Sequence, residues 1–455
     1  MAAARWGFTL GSSTSTARRG ALPAGLALCA LLVLGTRAEA PAQDEVRIDL
    51  STDVQKRIGL VLEAFTSAGS SSARTTAVQA DPILANDLAG SGLFTVSKAW
   101  ETSSLPADAQ AVVGGKITVS GQTIVLTGEI KDFPARRLIA RTDYRGSMAD
   151  LRRLVHRFAD DVALHLTGEA GVSQTRIAYV VKGARSSELH VVDVDGFGAR
   201  QLTAFKSPLV SPAWSANFGD LFFASLRGAA WNIYAVPSNG GTARQVSRGG
   251  TLNIAPNAAP DGALAYVSNK DGNSEIYVSN ADGTGGRRLT INRSIDTSPA
   301  WSPTGQRIAF TSDRGGSAQV YVMDRDGGNQ RRLISGFSYS DSPQWSPKGD
   351  RICFVVRQGG KFDVWIANAD GSNPRSLQTE GSNENPHWSP DGRLIVFSSN
   401  RAGGKNLYIT DLRGTIVRRI DVPGAAANPA WSPRPAGATL SGVNATTTNP
   451  GGSKR

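Results

Sequence analysis

Over most of the chain the apolar residues come in runs of three to six, rich in β-branched and aromatic types and closed off by Gly, Pro, Asp or Asn. Runs this short between turn-forming residues predict β-strands, not helices. Residues 298–334 show the pattern: 299–302 form a first strand, 303–305 a turn, and 307–312 a second strand. A third strand follows over 319–323, a hairpin turn over 324–328 and a fourth strand over 331–334.

This unit repeats. Its landmark is a Trp-Ser-Pro step, with Trp214, Ala258, Trp301, Trp345, Trp388 and Trp431 in equivalent places at spacings of 44, 43, 44, 43 and 43. A period of about 43 with four short strands per repeat is that of a β-propeller blade. Second and third strands each occur six times. The first unit, which begins near Arg176, lacks its opening strand, while the chain has a spare one around Trp431. The expected fold is therefore mainly β: a six-bladed β-propeller over 171–435, closed by a C-terminal strand and preceded by a small α/β domain. Closure of this kind removes an open strand edge. The tryptophans, fixed in place within each blade, are expected to pack between neighbouring blades.

Residues 41–170 carry no repeat. Asp81 and Pro82 look like an N-cap and N1 pair that starts a helix running to Leu88 and stopping at Gly90. Strands are expected over 94–96, 111–119, 123–131 and 137–143. Ser147 and Asp150 resemble a capping box ahead of a helix that keeps Leu151, Leu154, Val155, Phe158, Val162 and Leu166 on one face. The Gly-, Thr- and Asn-rich residues 436–455 have the composition of a disordered tail.

At the other end, a basic stretch with Arg5, Arg18 and Arg19 precedes an apolar run over 21–34 and the small-residue step Ala38-Glu39-Ala40. This is the plan of a cleaved export signal over 1–40, and the run is too short to span a bilayer. The expectation is a secreted or periplasmic protein without membrane insertion. Cys29 as a lipid-bearing N-terminus is disfavoured by Leu28 before it and by the apolar residues after it. The Arg18-Arg19 pair leaves the route of export open. Net charge is +11, and falls to +8 once a leader with four Arg and one Glu is gone. Lys and Arg are scattered singly through the turns with no basic-aromatic motif, which argues for a solvated surface and no nucleic acid partner.

Little in the sequence suggests catalysis. A nucleophile elbow, a zinc-protease helix, paired Cys-x-x-Cys and a phosphate-binding loop are all missing. No cofactor or metal is expected from His156, His165, His190 and His387, which are scattered over both domains. The clusters at Asp193-Asp195 and Asp324-Asp326 lack the first and last ligands of a calcium loop and read as hairpin turns. Cys353 alternates into a core face. A propeller-bearing hydrolase is the alternative reading, but only about 20 residues follow the propeller, against the 200 or so that a catalytic domain needs. A secreted binding module remains a third option.

The variable polar positions just before each innermost strand are the natural docking surface, because such loops converge on one mouth of a propeller channel. They comprise Asn253, Ala255, Asp296, Thr297, Ser298, Asp341, Ser342, Glu384, Asn385 and Asn428. As solvent-facing loop positions, Ala255 and Thr297 are expected to accept a bulky residue at a cost to the fold of only about ±0.5 kcal/mol.

The run Thr175-Arg-Ile-Ala-Tyr-Val-Val181, the serial Trp-Ser-Pro units, Gly90-Ser-Gly-Leu-Phe94 and the closing Pro429-Ala-Trp-Ser-Pro433 occur in the order of the TolB family, which the chain resembles over nearly all of its mature length. The resemblance implies a non-enzymatic periplasmic adaptor of the Tol-Pal system. Such proteins bind the lipoprotein Pal at the propeller mouth, where Ala255, Thr297 and Ser298 match contact loops and Leu252 departs from a frequent His. They engage TolA through the mature N-terminus, here Pro41, Ala42, Gln43 and Asp44, followed by Glu45, Val46, Arg47 and Ile48 at the start of the family's first strand. The role implied is outer-membrane integrity and constriction during cell division.

Overall fold

The computed structural model describes residues 57–435 apart from 69, 103 and 105, so the expected leader, the segment 41–48 and the tail 436–455 lie outside the described residues. No helix among the described residues is long and apolar enough to cross a membrane.

The α/β domain is built from β1 (Ile58–Leu62), β2 (Thr66–Ala68), α1 (Ser71–Gly90), β3 (Phe94–Lys98), β4 (Ala109–Ser120), β5 (Thr123–Asp132), β6 (Leu138–Ser147) and α2 (Leu151–Thr167). Its sheet runs β3-β1-β4-β5-β6, with β2 also on β4 and β1 parallel to both neighbours. The four expected strands are present with somewhat wider limits. The pattern reading passed over β1, the strand that organises the sheet. All five of its residues are buried. Ile58, Leu60 and Leu62 face the helices, while Val61 joins Ala109 and Val112 on the opposite face. A strand covered on both faces carries no polar alternation to reveal it.

The first helix also starts earlier than expected. Its N-cap is Ser70, whose hydroxyl accepts the Ala73 amide at 3.2 Å, and Pro82 lies inside the helix. The missing Pro82 N–H would have bonded the carbonyl of Val78, a residue 70% exposed, so water can satisfy that oxygen and the helix continues. Asp81 does not cap. Its carboxylate accepts the Phe65 amide at 2.8 Å and so ties α1 to the end of β1. The second helix follows the sequence closely, with all six expected apolar residues buried. The Asp150 carboxylate accepts the Ser147 amide at 2.9 Å and the Ser147 hydroxyl at 2.8 Å, and these bonds hold its pKa at about 2. Gly128 on β5 is required because a Cβ there would lie 2.4 Å from the Phe158 ring.

The propeller has six four-stranded antiparallel sheets. Blades 2 to 6 start with innermost strands Leu209–Trp214, Asn253–Ala258, Asp296–Trp301, Ser340–Trp345 and Asn383–Trp388. Blade 1 takes its innermost strand, Ala425–Trp431, from the far end of the chain, pairing Ala427 with Val180 and Trp431 with Ile177. The Trp431 indole donates to Thr175 Oγ1 at 2.8 Å, and the Arg176 amide to Ser432 Oγ at 3.0 Å. Each junction between consecutive blades, including 6 to 1, holds its own apolar cluster. The tryptophans belong to these clusters, as expected, with Ala258 partly buried in the junction of blades 2 and 3. Cys353 is fully buried in the cluster between blades 5 and 6, and burial pushes its thiol pKa up. Both Asp-x-Asp-Gly clusters form tight turns, with the Gly196 amide on Asp193 O and the Gly327 amide on Asp324 O.

Two outcomes follow. Emptying a large aromatic site costs about 3–5 kcal/mol, against a whole-domain stability of about 5–15 kcal/mol. Deleting 425–455 removes Trp431 together with a full strand ladder. It is expected to abolish cooperative melting of the propeller, whereas deleting 436–455 leaves every bond named above in place. Equal melting of the two truncations contradicts closure. For Asp150 the folded pKa lies below the unfolded value of 3.8, so its carboxylate stabilises the fold above about pH 4 and loses that effect as pH falls towards 2. Asp150→Asn is expected to melt below the parent at pH 7, with the gap closing as pH is lowered. A gap independent of pH rules out the capping role.

Candidate functional site

The innermost strands line the central channel, and each is interrupted at the same place. Ser211, Ala255, Ser298, Ser342, Asn385 and Asn428, three residues before the Trp position, have φ between 49° and 54°, and each precedes a proline. Pairing with the second strand slips at this step in every blade. These are β-bulges: the extra residue turns its side chain out of the ladder, and the following proline has no N–H to leave unpaired. All six bulge residues line the channel. The expected docking loops are thus the opening halves of the innermost strands, which begin at Asp296 and its equivalents rather than at Pro299.

This changes the role of two expected contact residues. The position five before each Trp is sealed: Leu209, Asn253, Asp296, Ser340, Asn383 and Ala426 are all 0% exposed. Asn253 donates to Gly249 O at 2.9 Å and Trp231 O at 3.3 Å. Asp296 receives Arg314 at 2.9 Å and Asn292 at 2.8 Å, while its burial pushes the carboxyl pKa up. Both residues hold the strands and offer nothing to a partner. Ala255, Thr297, Ser298, Asp341, Ser342, Glu384, Asn385 and Asn428 stay partly exposed. Asp341 accepts Thr311 Oγ1 at 2.7 Å and Ser298 Oγ at 3.3 Å from the previous blade, as well as the Tyr339 hydroxyl at 3.1 Å. Glu384 pairs with Lys405 at 2.7 Å.

Deeper in the channel, Ala213, Asn257, Gln344 and His387, each just before the Trp position of its blade, line the wall. Asn257 accepts the Trp301 amide at 2.9 Å and His387 Nδ1 accepts the Trp431 amide at 3.2 Å. Nδ1 also lies 3.2 Å from the Trp388 carbonyl oxygen, and burial pushes the imidazole pKa down to about 4. His387 is therefore a neutral part of the channel wall.

The α/β domain packs against the Trp-Ser-Pro end of the ring. Glu169 receives both Lys348 and Arg393 at 2.8 Å from turns at that end, and the Arg418 guanidinium lies against Gly90 at the end of α1. Among the described residues its contacts with the propeller fall at that end, and the opposite mouth, where the bulged strands begin, is open. In the interface lies a group that no local motif announces. His156 Nδ1 is 2.6 Å from Asp87 Oδ2, and His156 Nε2 is 3.8 Å from Asp195 Oδ2. Arg152 donates to Asp195, and Arg418 acts on Asp87 through its charge. The Asp87, His156 and Asp195 ligand atoms lie within 4.8 Å of one another, as a metal site would need. The two guanidiniums already supply the positive charge there, so the group acts as a salt link between domains. Burial pushes the Asp87 pKa up, and the His156 hydrogen bond opposes it.

Comparison with known proteins agrees with this architecture. Residues 164–435 match the family model of the TolB β-propeller domain. The chain is 33% identical over 302 residues to the TolB homologue of Chlorobium chlorochromatii strain CaD3, covering 62% of this chain and 68% of the relative. It is 35% identical over 298 residues to the Tol-Pal system protein TolB of Anaeromyxobacter sp. strain K, covering 61% and 67%. The crystal structure of TolB from Acinetobacter baumannii has the same fold, with a TM-score of 0.73 at 24% identity over 83% of this chain and 97% of that one. The chain belongs to the TolB family of Tol-Pal system proteins.

Proposed function

We propose that the protein is a non-catalytic periplasmic adaptor, which receives the lipoprotein Pal at the open channel mouth and engages TolA through Pro41–Ile48, supporting outer-membrane integrity and constriction during division. The observation that carries the docking reading is the ring of six bulges. It presents the half-exposed Ser298, Ser342, Asn385 and Asn428 side chains at the same depth, on the end of the propeller that the α/β domain leaves free. A rigid concave rim of this kind suits a folded partner, with the ordering cost met before binding. Family membership supports the choice of Pal and TolA as partners.

The bulge geometry dictates which variants test this. Ala255 has φ 51°, where a β-branched side chain is strained, so Ala255→Val confounds folding with binding and does not meet the small stability cost expected for loops. Thr297 has an ordinary backbone and is half-exposed. Thr297→Trp is expected to weaken Pal binding at least about tenfold, or about 1.4 kcal/mol, without lowering the melting temperature. Thr284→Trp, in an outer turn at the opposite end of blade 3, is expected to leave binding intact. Calorimetric titration decides between the outcomes: full Pal affinity in Thr297→Trp, or an equal loss in Thr284→Trp, contradicts docking at this mouth.

A further inference from the structure

A cavity of about 490 Å³ lies between α2 and the turns of blades 1 and 2. Its volume is within the range of small-molecule sites. Four guanidiniums line it, from Arg152, Arg153, Arg157 and Arg176, and three carboxylates engage them: Asp195 takes Arg152, Asp150 takes Arg153 at 3.0 Å and Asp193 takes Arg176 at 3.3 Å, which leaves one positive charge in excess. Ala149, Arg152 and Arg153 belong to the start of the helical segment, so the positive end of the α2 dipole adds to the same field. Two polar atoms in this wall have no hydrogen-bond partner. His156, 4% exposed, has its Nε2 at 3.8 Å from Asp195 Oδ2, beyond hydrogen-bond reach, and the Nε–H of Arg152 is buried with no acceptor. Buried donors are rarely left unmet. Phe197, 56% exposed, and Phe218 give the cavity apolar walls, and the Asn239 amide stands at its rim.

We infer that this cavity binds a small polar molecule through an oxyanion group, phosphate or carboxylate, held by the forked donors of Arg152, Arg153 and Arg176. Guanidinium forks match the geometry of both groups. The cavity exceeds what a bare ion fills, which leaves room for an organic body against the phenylalanine rings. Because its walls come from both domains, an occupied cavity would stiffen the joint between the α/β domain and the propeller. The site lies at the end of the ring opposite the proposed Pal mouth and stands independently of that reading.

The test is thermal melting of the full chain against glycerol phosphate and, separately, glycerate, with chloride replacing either at constant ionic strength. Ligand that binds only the folded state raises the melting temperature saturably. A rise with one or both oxyanions supports the site and tells which group it prefers. Asn239→Asp keeps an acceptor for Arg176, which now bonds the Asn239 amide oxygen at 3.4 Å, but adds a negative charge at the rim. Arg153→Gln removes a donor whose ion pair is largely exposed. Each is expected to weaken binding about tenfold while the ligand-free melting temperature holds. No saturable rise with either ligand overturns the proposal, as does an affinity unchanged in both variants.

Discussion

The bonds that join Trp431 and Ser432 to Thr175 and Arg176 connect residues 256 apart in sequence, and the ring depends on them. Joining such distant segments costs loop-closure entropy, which grows only slowly with length, so one well-packed strand can offset it. The return is larger than one strand, because the apolar clusters sit between blades rather than within them. Trp431 fills the junction of blades 6 and 1 with Tyr179, Val192, Leu407 and Ile409. One residue along the same strand, Ala430 packs towards blade 2, and its carbonyl accepts the Trp214 indole at 2.9 Å. Opening this strand therefore exposes two junctions at once, those of blade 1 with blade 6 and with blade 2.

The same strand geometry organises the channel. Within each innermost strand the residue five before the Trp position is sealed and the bulge residue lines the channel, while Asn257 and His387, just before that position, bond across to the next blade. Asn253 and Asp296 show why polar chemistry at a mouth does not by itself mean contact: both are fully buried and bond to their own strands and turns. Asp341 is intermediate, since it reaches the mouth while bonding to Ser298 and Thr311 of the previous blade. With the α/β domain clasped to the other end through Glu169, the two ends of one ring are free for different work.

Repeats made the propeller legible in the sequence. A period of 43 to 44 residues reveals both the blade count and the mismatch between its first and last units, from which closure follows. Features without a period were hidden. β1 has no alternation because both its faces are covered, and Pro82 imitates a helix start while lying on an exposed face where its missing N–H does little harm. The bulges escaped because Ser298 or Asn385 before a proline reads as a turn, and only the paired second strand shows that the ladder resumes beyond it. The Asp87, His156 and Asp195 group joins two helices to a blade turn, and no local spacing encodes that meeting.

Hydrogen exchange of the native protein tests ring closure most directly. If the C-terminal strand locks the ring, the Trp431 and Ile177 amides exchange only through global opening, with the same free energy as Ile308 and Val320 in blade 4. Exchange of the closing strand at a much lower free energy, with the other blades still protected, would contradict the account.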